Sequence, residues 1–185
     1  MPDSTRRIST FLSLVLRHDP AAIGMVLDSA GWVDVEELVA CANRSGRALT
    51  REQVLEVVAA NDKQRFALSE DCRRIRANQG HSISVDLGLV PIAPPEVLFH
   101  GTARHSLASI LATGLHSVSR QHVHLSADVE TALKVGRRHG TPVVLRVDTG
   151  RLHREGQQFF RSDNGVWLTS EIAAQYLAVL RDGEE

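Results

Sequence analysis

At 185 residues, with 43% hydrophobic but only 4% aromatic side chains, the chain has room for one domain or two small ones, with cores of Leu, Val, Ile and Ala. A formal net charge of −1 excludes a protein that coats nucleic acid by bulk electrostatics, so any phosphate recognition has to be local. No apolar stretch approaches the ~20 residues that span a bilayer. Met1–Arg7 is too short and polar for a secretory signal, and a cytoplasmic location is expected.

All of the 21 basic residues except Lys63 and Lys134 are arginine, which suits planar, bidentate phosphate recognition, although a GC-rich genome gives the same bias. Cys41 and Cys72 have no CxxC or ligand-like spacing, so neither a disulfide framework nor a cysteine-rich zinc site is indicated, and both are expected to be small buried hydrophobes.

Ile8, Phe11, Leu12, Val15 and Leu16 recur at helical spacing and predict a helix over about Ser4–Leu16, stopped by Pro20. Arg17 and His18 then sit at its C-terminus, where the negative end of the helix dipole favours cations. Asp34-Val35-Glu36-Glu37 ahead of Leu38, Val39 and Cys41 predicts a capped second helix, and Thr50-Arg51-Glu52-Gln53 is a capping box opening a third through Ala60. Phe66, Leu68, Ile75 and Ala77 alternate with polar residues on either side of Glu70-Asp71-Cys72, the pattern of a β-hairpin. Helices followed by a hairpin suggest a winged-helix lobe over residues 1–90, a fold that by itself proves no function.

Pro91, Pro94 and Pro95 mark Gly88–Glu96 as a linker into a second lobe, residues 91–185. There Val97–His100 reads as a strand, His105–Thr113 as a helix closed by Gly114, and His122–Ser126 as another strand. Asp128 caps a helix running to about His139, and Pro142–Val147 is a near-continuous apolar strand. Gln158–Thr169 folds back at Asp163-Asn164-Gly165, a strong hairpin signal. The fold class expected is α+β.

Three islands pair guanidinium with imidazole: Leu16-Arg17-His18-Asp19, Arg74-Ile75-Arg76-Ala77-Asn78-Gln79-Gly80-His81-Ser82 and Arg120-Gln121-His122-Val123-His124-Leu125-Ser126. A phosphate monoester carries close to two negative charges, so its site needs fixed positive forks and one group that exchanges a proton near neutral pH. Arg17, Arg76 and Arg120 are candidates for the forks, and His18 or His81 for the proton handler. On a strand Arg74 and Arg76 point one way and Ile75 the other. Arg74 is expected at the solvated rim, whereas Arg76, followed by Gln79-Gly80-His81, is expected to meet the anion, with the N–H of Gly80 or His81 as a further donor. His100-Gly101-Thr102 ends one strand and His124 with Ser126 lies on another, an arrangement able to bracket a nicotinamide riboside. His122 and His124 also fit a His-x-His metal pair, but no acidic or cysteine partners cluster with them and no metal is expected. There is no GxGxxG and no Walker motif, so a nucleotide is not held in a Rossmann or P-loop manner.

Together with Leu98-Phe99-His100-Gly101-Thr102 and Asn164-Gly165-Val166-Trp167-Leu168-Thr169, these runs closely resemble the NAD-dependent RNA 2′-phosphotransferases, the KptA-like family, from about Ser9 to Leu180. The resemblance implies a winged-helix lobe followed by an ADP-ribosyltransferase-like lobe, with an active site to which both contribute. It implies a functional quartet of Arg17, His18, Arg76 and Arg120, with Gln79, Gly80 and His81 beside the substrate phosphate. NAD as co-substrate is expected on His100, Gly101, Thr102, Gly114, Leu115, His124 and Ser126. The partners implied are RNA bearing an internal 2′-phosphate and NAD; a monomer is expected. ADP-ribosyltransferase folds often carry a catalytic Glu on their third signature strand. Here apolar residues stand at that place, and Glu171 is expected on a surface helix. An anionic phosphate needs no deprotonation, so its attack does not require that carboxylate.

The implied reaction has two steps: the 2′-phosphate attacks C1″ of the nicotinamide ribose and expels nicotinamide, then the 2″-hydroxyl attacks phosphorus. The products are RNA with a free 2′-hydroxyl and ADP-ribose 1″,2″-cyclic phosphate. An alternative is an ADP-ribosyltransferase that caps terminal phosphates of RNA or DNA and stops after the first step. A third is a winged-helix regulator whose second lobe senses NAD or ADP-ribose without turning it over.

Overall fold

The structure, a computed structural model, describes residues 3–61 and 63–180. The fold is mixed α/β with small antiparallel sheets, and it divides into two compact units, Met1–Gly88 and Leu89–Glu185, each with its own apolar core.

Unit 1 opens with α1 (Asp3–Arg17), whose buried Thr5, Ser9, Leu12 and Leu16 form one stripe at three- and four-residue spacing, widened by Phe11 and Val15. Asp19 accepts from the Ala22 N–H to cap a 3-10 turn over Pro20–Ile23, and Gly24 (φ 66) turns the chain out of it. β1 (Val33–Asp34) leads directly into α2 (Val35–Arg44), capped by the Asp34 carboxylate on the N–H groups of Glu36 and Glu37. α3 (Arg51–Ala59) starts on the expected capping box, with Thr50 and Gln53 each accepting the other's backbone N–H. β2 (Phe66–Leu68) and β3 (Arg74–Ala77) form the hairpin, and β1 adds on the far side to give the sheet order β1-β3-β2. The hairpin turn holds Cys72 at φ 55, half-buried, so only Cys41 is the buried small hydrophobe expected of both.

Unit 2 is built on β4 (Val97–Ala103), which pairs along its whole length with β6 (Pro142–Asp148) and so runs past His100. α4 (Arg104–Thr113) follows, then β5 (Val123–Leu125) and α5 (Val129–Gly136), capped by Asp128 on the Thr131 N–H. α5 ends before His139 because its last turn tightens to i→i−3 bonds, Arg138 N–H to Val135 O and His139 N–H to Gly136 O. α6 (Thr149–Arg154) crosses to the hairpin of β7 (Phe159–Arg161) and β8 (Trp167–Thr169), and β9 (Leu177–Val179) closes the first sheet. The two sheets are β4-β6-β9 and β5-β8-β7, linked by the Phe99–Ser126 bridge. Glu171 is not helical: after β8 the chain stays extended so that Ile172 can pair with Leu115, and Glu171 projects as an exposed partner of His116 at 3.0 Å.

Candidate functional site

In unit 1 the end of α1 and the segment after β3 are tied together. The Ser82 N–H donates to Arg17 O at 2.9 Å, and the Ser82 hydroxyl lies 3.0 Å from His18 Nδ1. Ser82 therefore orients the exposed His18 ring through Nδ1. Arg17 is half-buried and donates from Nη2 to Arg65 O, with its guanidinium carbon 5.9 Å from the Phe66 ring centre. Arg76 is also half-buried, its guanidinium 4.8 Å from the Trp32 ring centre. Arg74, on the same face of β3, is exposed and bound to Asp28, as a rim residue should be.

Gly80 has φ 87, the left-handed backbone that favours glycine, and it turns the chain into His81. His81 is only 2% exposed, and neither ring nitrogen has a hydrogen-bond partner among the described residues. Burial, then the positive charges of Arg17, His18 and Arg76, push its pKa down to about 4. The His81 ring is thus neutral near pH 7 and covered by protein, whereas His18 is exposed.

In unit 2 a cavity of about 590 Å³ is lined by His100, Gly101, Thr102, Gly114, Leu115 and His124 among others, bringing together all of the expected NAD residues except Ser126. Ser126 instead spends its backbone on Phe99, donating and accepting there. Arg120 lies on the same wall with Nη1 3.0 Å from His124 Nδ1. His100 donates from Nδ1 to the His124 carbonyl at 3.0 Å, while burial above all lowers its pKa. The ring is therefore neutral with its tautomer fixed, and Nε2 is an acceptor suited to a ligand hydroxyl.

Two glycines here serve packing. A Cβ on Gly101 would lie 1.8 Å from Ala132 O, so its missing side chain lets α5 press onto β4, and a Cβ on Gly114 would lie 2.3 Å from Ile172 O. The cavity wall also includes Ser106, Ser109, Ile110 and Thr113 of α4, which the sequence reading missed. Their i, i+3, i+4, i+7 spacing was a usable signal, since it puts a largely polar stripe where a core helix would be apolar. His122 lies edge-on to Phe160, and no group of three or more His, Cys, Asp or Glu side chains placed to hold a metal ion occurs among the described residues.

Known proteins match the chain over nearly its whole length. Residues 3–171 fit the family model described as RNA 2′-phosphotransferase, Tpt1 / KptA family. A protein of Hahella chejuensis is 58% identical over 172 residues, covering 93% of this chain and 92% of its own length. One from Agrobacterium fabrum is 58% identical over 174 residues, 94% of each chain, and one from Acaryochloris marina is 54% identical over 176 residues, 95% of this chain and 97% of its own. All three carry the name probable RNA 2′-phosphotransferase. With most of its length matched by the model and by relatives this similar, the chain belongs to the RNA 2′-phosphotransferase family, Tpt1 / KptA.

Proposed function

We propose that this protein transfers an internal RNA 2′-monophosphate to NAD, leaving RNA with a 2′-hydroxyl. The observation that carries this reading is the cavity of unit 2, whose wall gathers His100, Thr102, Arg120 and His124 in a chain of this family. Its volume of about 590 Å³ lies in the range of small-molecule and cofactor sites. The order helix, strand, two helices and a two-stranded hairpin, with β1 added to the sheet, supports a winged-helix lobe in unit 1. The two small antiparallel sheets of unit 2 support an ADP-ribosyltransferase-like lobe.

NAD supplies an electrophilic ribose carbon with nicotinamide as its leaving group. The fit to unit 2 rests on the neutral His100 ring, able to accept from a ribose hydroxyl, and on Arg120, able to face a pyrophosphate or the transferring phosphoryl group. Arg17 and Arg76 bind the RNA phosphate dianion and orient it as nucleophile, a role that calls for positive forks and no general base. When the ribose 2″-hydroxyl then attacks phosphorus, its proton passing to solvent, the guanidinium groups stabilise the charge on the phosphoryl oxygens, and the protonated His18 ring gives a proton to the departing RNA oxygen.

The test is incubation of a 2′-phosphorylated oligoribonucleotide with the protein, with and without NAD, resolving RNA and nucleotide products. Free 2′-hydroxyl RNA, nicotinamide and a cyclic phosphate of ADP-ribose, all dependent on NAD, are expected. RNA that retains ADP-ribose as the end product would mark a capping transferase, and intact NAD would remove the enzymatic reading.

A further inference from the structure

Unit 1 contains three aromatic residues, and two of them, Phe11 (7% exposed) and Phe66 (3%), are in the core. Trp32 is the third and reaches the surface. The register of β1 on β3 explains why. Val33 faces Ile75, and both are buried, at 4% and 0% exposure. Their chain neighbours therefore point away from the core, and one step beyond the Val33–Ile75 pair Trp32 comes beside Arg76. Ala67 flanks Arg76 on its other side, a residue too small to cover it.

The backbone that carries the indole is pinned on both sides: the Trp32 N–H donates to Asp28 Oδ1 at 2.8 Å, and the Asp28 N–H donates to Trp32 O at 2.9 Å. Asp28 also binds Arg74, whose guanidinium carbon lies 5.6 Å from the Trp32 ring centre, with that of Arg76 at 4.8 Å. A large aromatic whose only role was to seal the core would sit in it, as Phe11 and Phe66 do. This one instead sits at the surface beside two guanidinium groups, and one of them belongs to a residue assigned to the phosphate.

We propose that Trp32, flanked by Arg74 and Arg76, is a stacking subsite for a nucleobase of the RNA beside the bound 2′-phosphate. The proposal rests on the reading of Arg76 as a fork for that phosphate. Single-stranded RNA is gripped by stacking unpaired bases on aromatic rings and arginine planes, and stacking tolerates any base because each has a π-face. A platform of this kind serves an enzyme that must meet the phosphate and its neighbouring base together. It also accounts for recognition by a chain whose net charge is too small for general RNA attraction.

The experiment compares wild-type protein, Trp32→Ala and Trp32→Phe on a 2′-phosphorylated oligoribonucleotide and on versions made abasic at the phosphate-bearing nucleotide or either neighbour. On intact RNA, Trp32→Ala should raise KM for RNA by about tenfold or more, Trp32→Phe should restore most of it, and KM for NAD should not move. For one abasic position the wild type should show the same rise and Trp32→Ala no further one. Equal KM values for Trp32→Ala and wild type on intact RNA, or a parallel rise for NAD, would overturn the subsite. So would a wild-type KM indifferent to all three abasic positions, a measurement that stands even if Trp32→Ala fails to fold. A wild-type protein that leaves the 2′-phosphate in place on intact RNA would instead overturn the underlying functional reading, and the subsite with it.

Discussion

The two units are built in opposite ways. Unit 1 gathers charge: Arg17, His18 and Arg76 act together on the buried His81, and all belong to the end of α1 or to β3 and the turn after it. Unit 2 gathers shape: its cavity is walled by neutral His100, by glycines needed for packing, and by the polar stripe of α4. The difference suits the two ligands proposed. A phosphate dianion is bound by fixed positive forks wherever it arrives, whereas a dinucleotide with several weakly polar parts needs a contoured wall.

The sharpest way to break this comparison is to remove one guanidinium from each side. Arg76→Ala and Arg120→Ala should each lower turnover of a 2′-phosphorylated oligonucleotide by ~10² to 10³-fold, as loss of a transition-state donor does. Steady-state rates within a few-fold of wild type would take that arginine out of the site. His18→Ala should separate the two stages, because attack by the phosphate needs no proton. RNA still joined to ADP-ribose should then build up in a product analysis, and its absence would reassign the proton.

His81 sharpens the account of unit 1 without involving catalysis. Its pKa of about 4 lies below the ordinary 6.5, so the unfolded chain binds the extra proton between these values and the protein should lose stability as pH falls from about 6.5 to about 4. The full effect is on the order of 3 kcal/mol. Below about pH 4 both states are protonated and the loss is complete, and above about 6.5 both are neutral and nothing changes. Thermal unfolding of His81→Leu across that window should show a flatter pH dependence than wild type; parallel curves would mean the ring is not held neutral. In unit 2, Gly101→Ala should cost about 1–3 kcal/mol in a denaturant titration, since its Cβ would press on Ala132 O. The smallest effect is expected for Arg74→Ala, which should change RNA turnover only a few-fold because Asp28 already holds that side chain.

Much of this was legible in the residues. Capping chemistry at Asp34 and Thr50 is local, so α2 and α3 begin where the side chains say they do. The alternation of Arg74, Ile75 and Arg76 placed both arginines on one face, and the cavity of unit 2 gathers six of the seven residues expected to hold NAD. What escaped was set by distant partners. β1 and β9 are two and three residues long and exist only because β3 and β6 pair with them. Glu171 was expected on a helix because nothing local shows that Ile172 must pair with Leu115. The burial of His81 was equally invisible, since its neighbours along the chain are polar or small, while Gly31, fifty residues earlier, comes against its Nε2.

The most direct test of the division between charge and shape is equilibrium binding of each ligand by itself to wild-type protein, Arg76→Ala and His100→Ala. Arg76→Ala should weaken a 2′-phosphorylated oligonucleotide about tenfold or more and leave NAD affinity unchanged, as expected for loss of a charge-assisted contact. His100→Ala should do the reverse. Loss of both ligands in both variants, or of neither ligand in either, would contradict the assignment of phosphate to unit 1 and dinucleotide to unit 2.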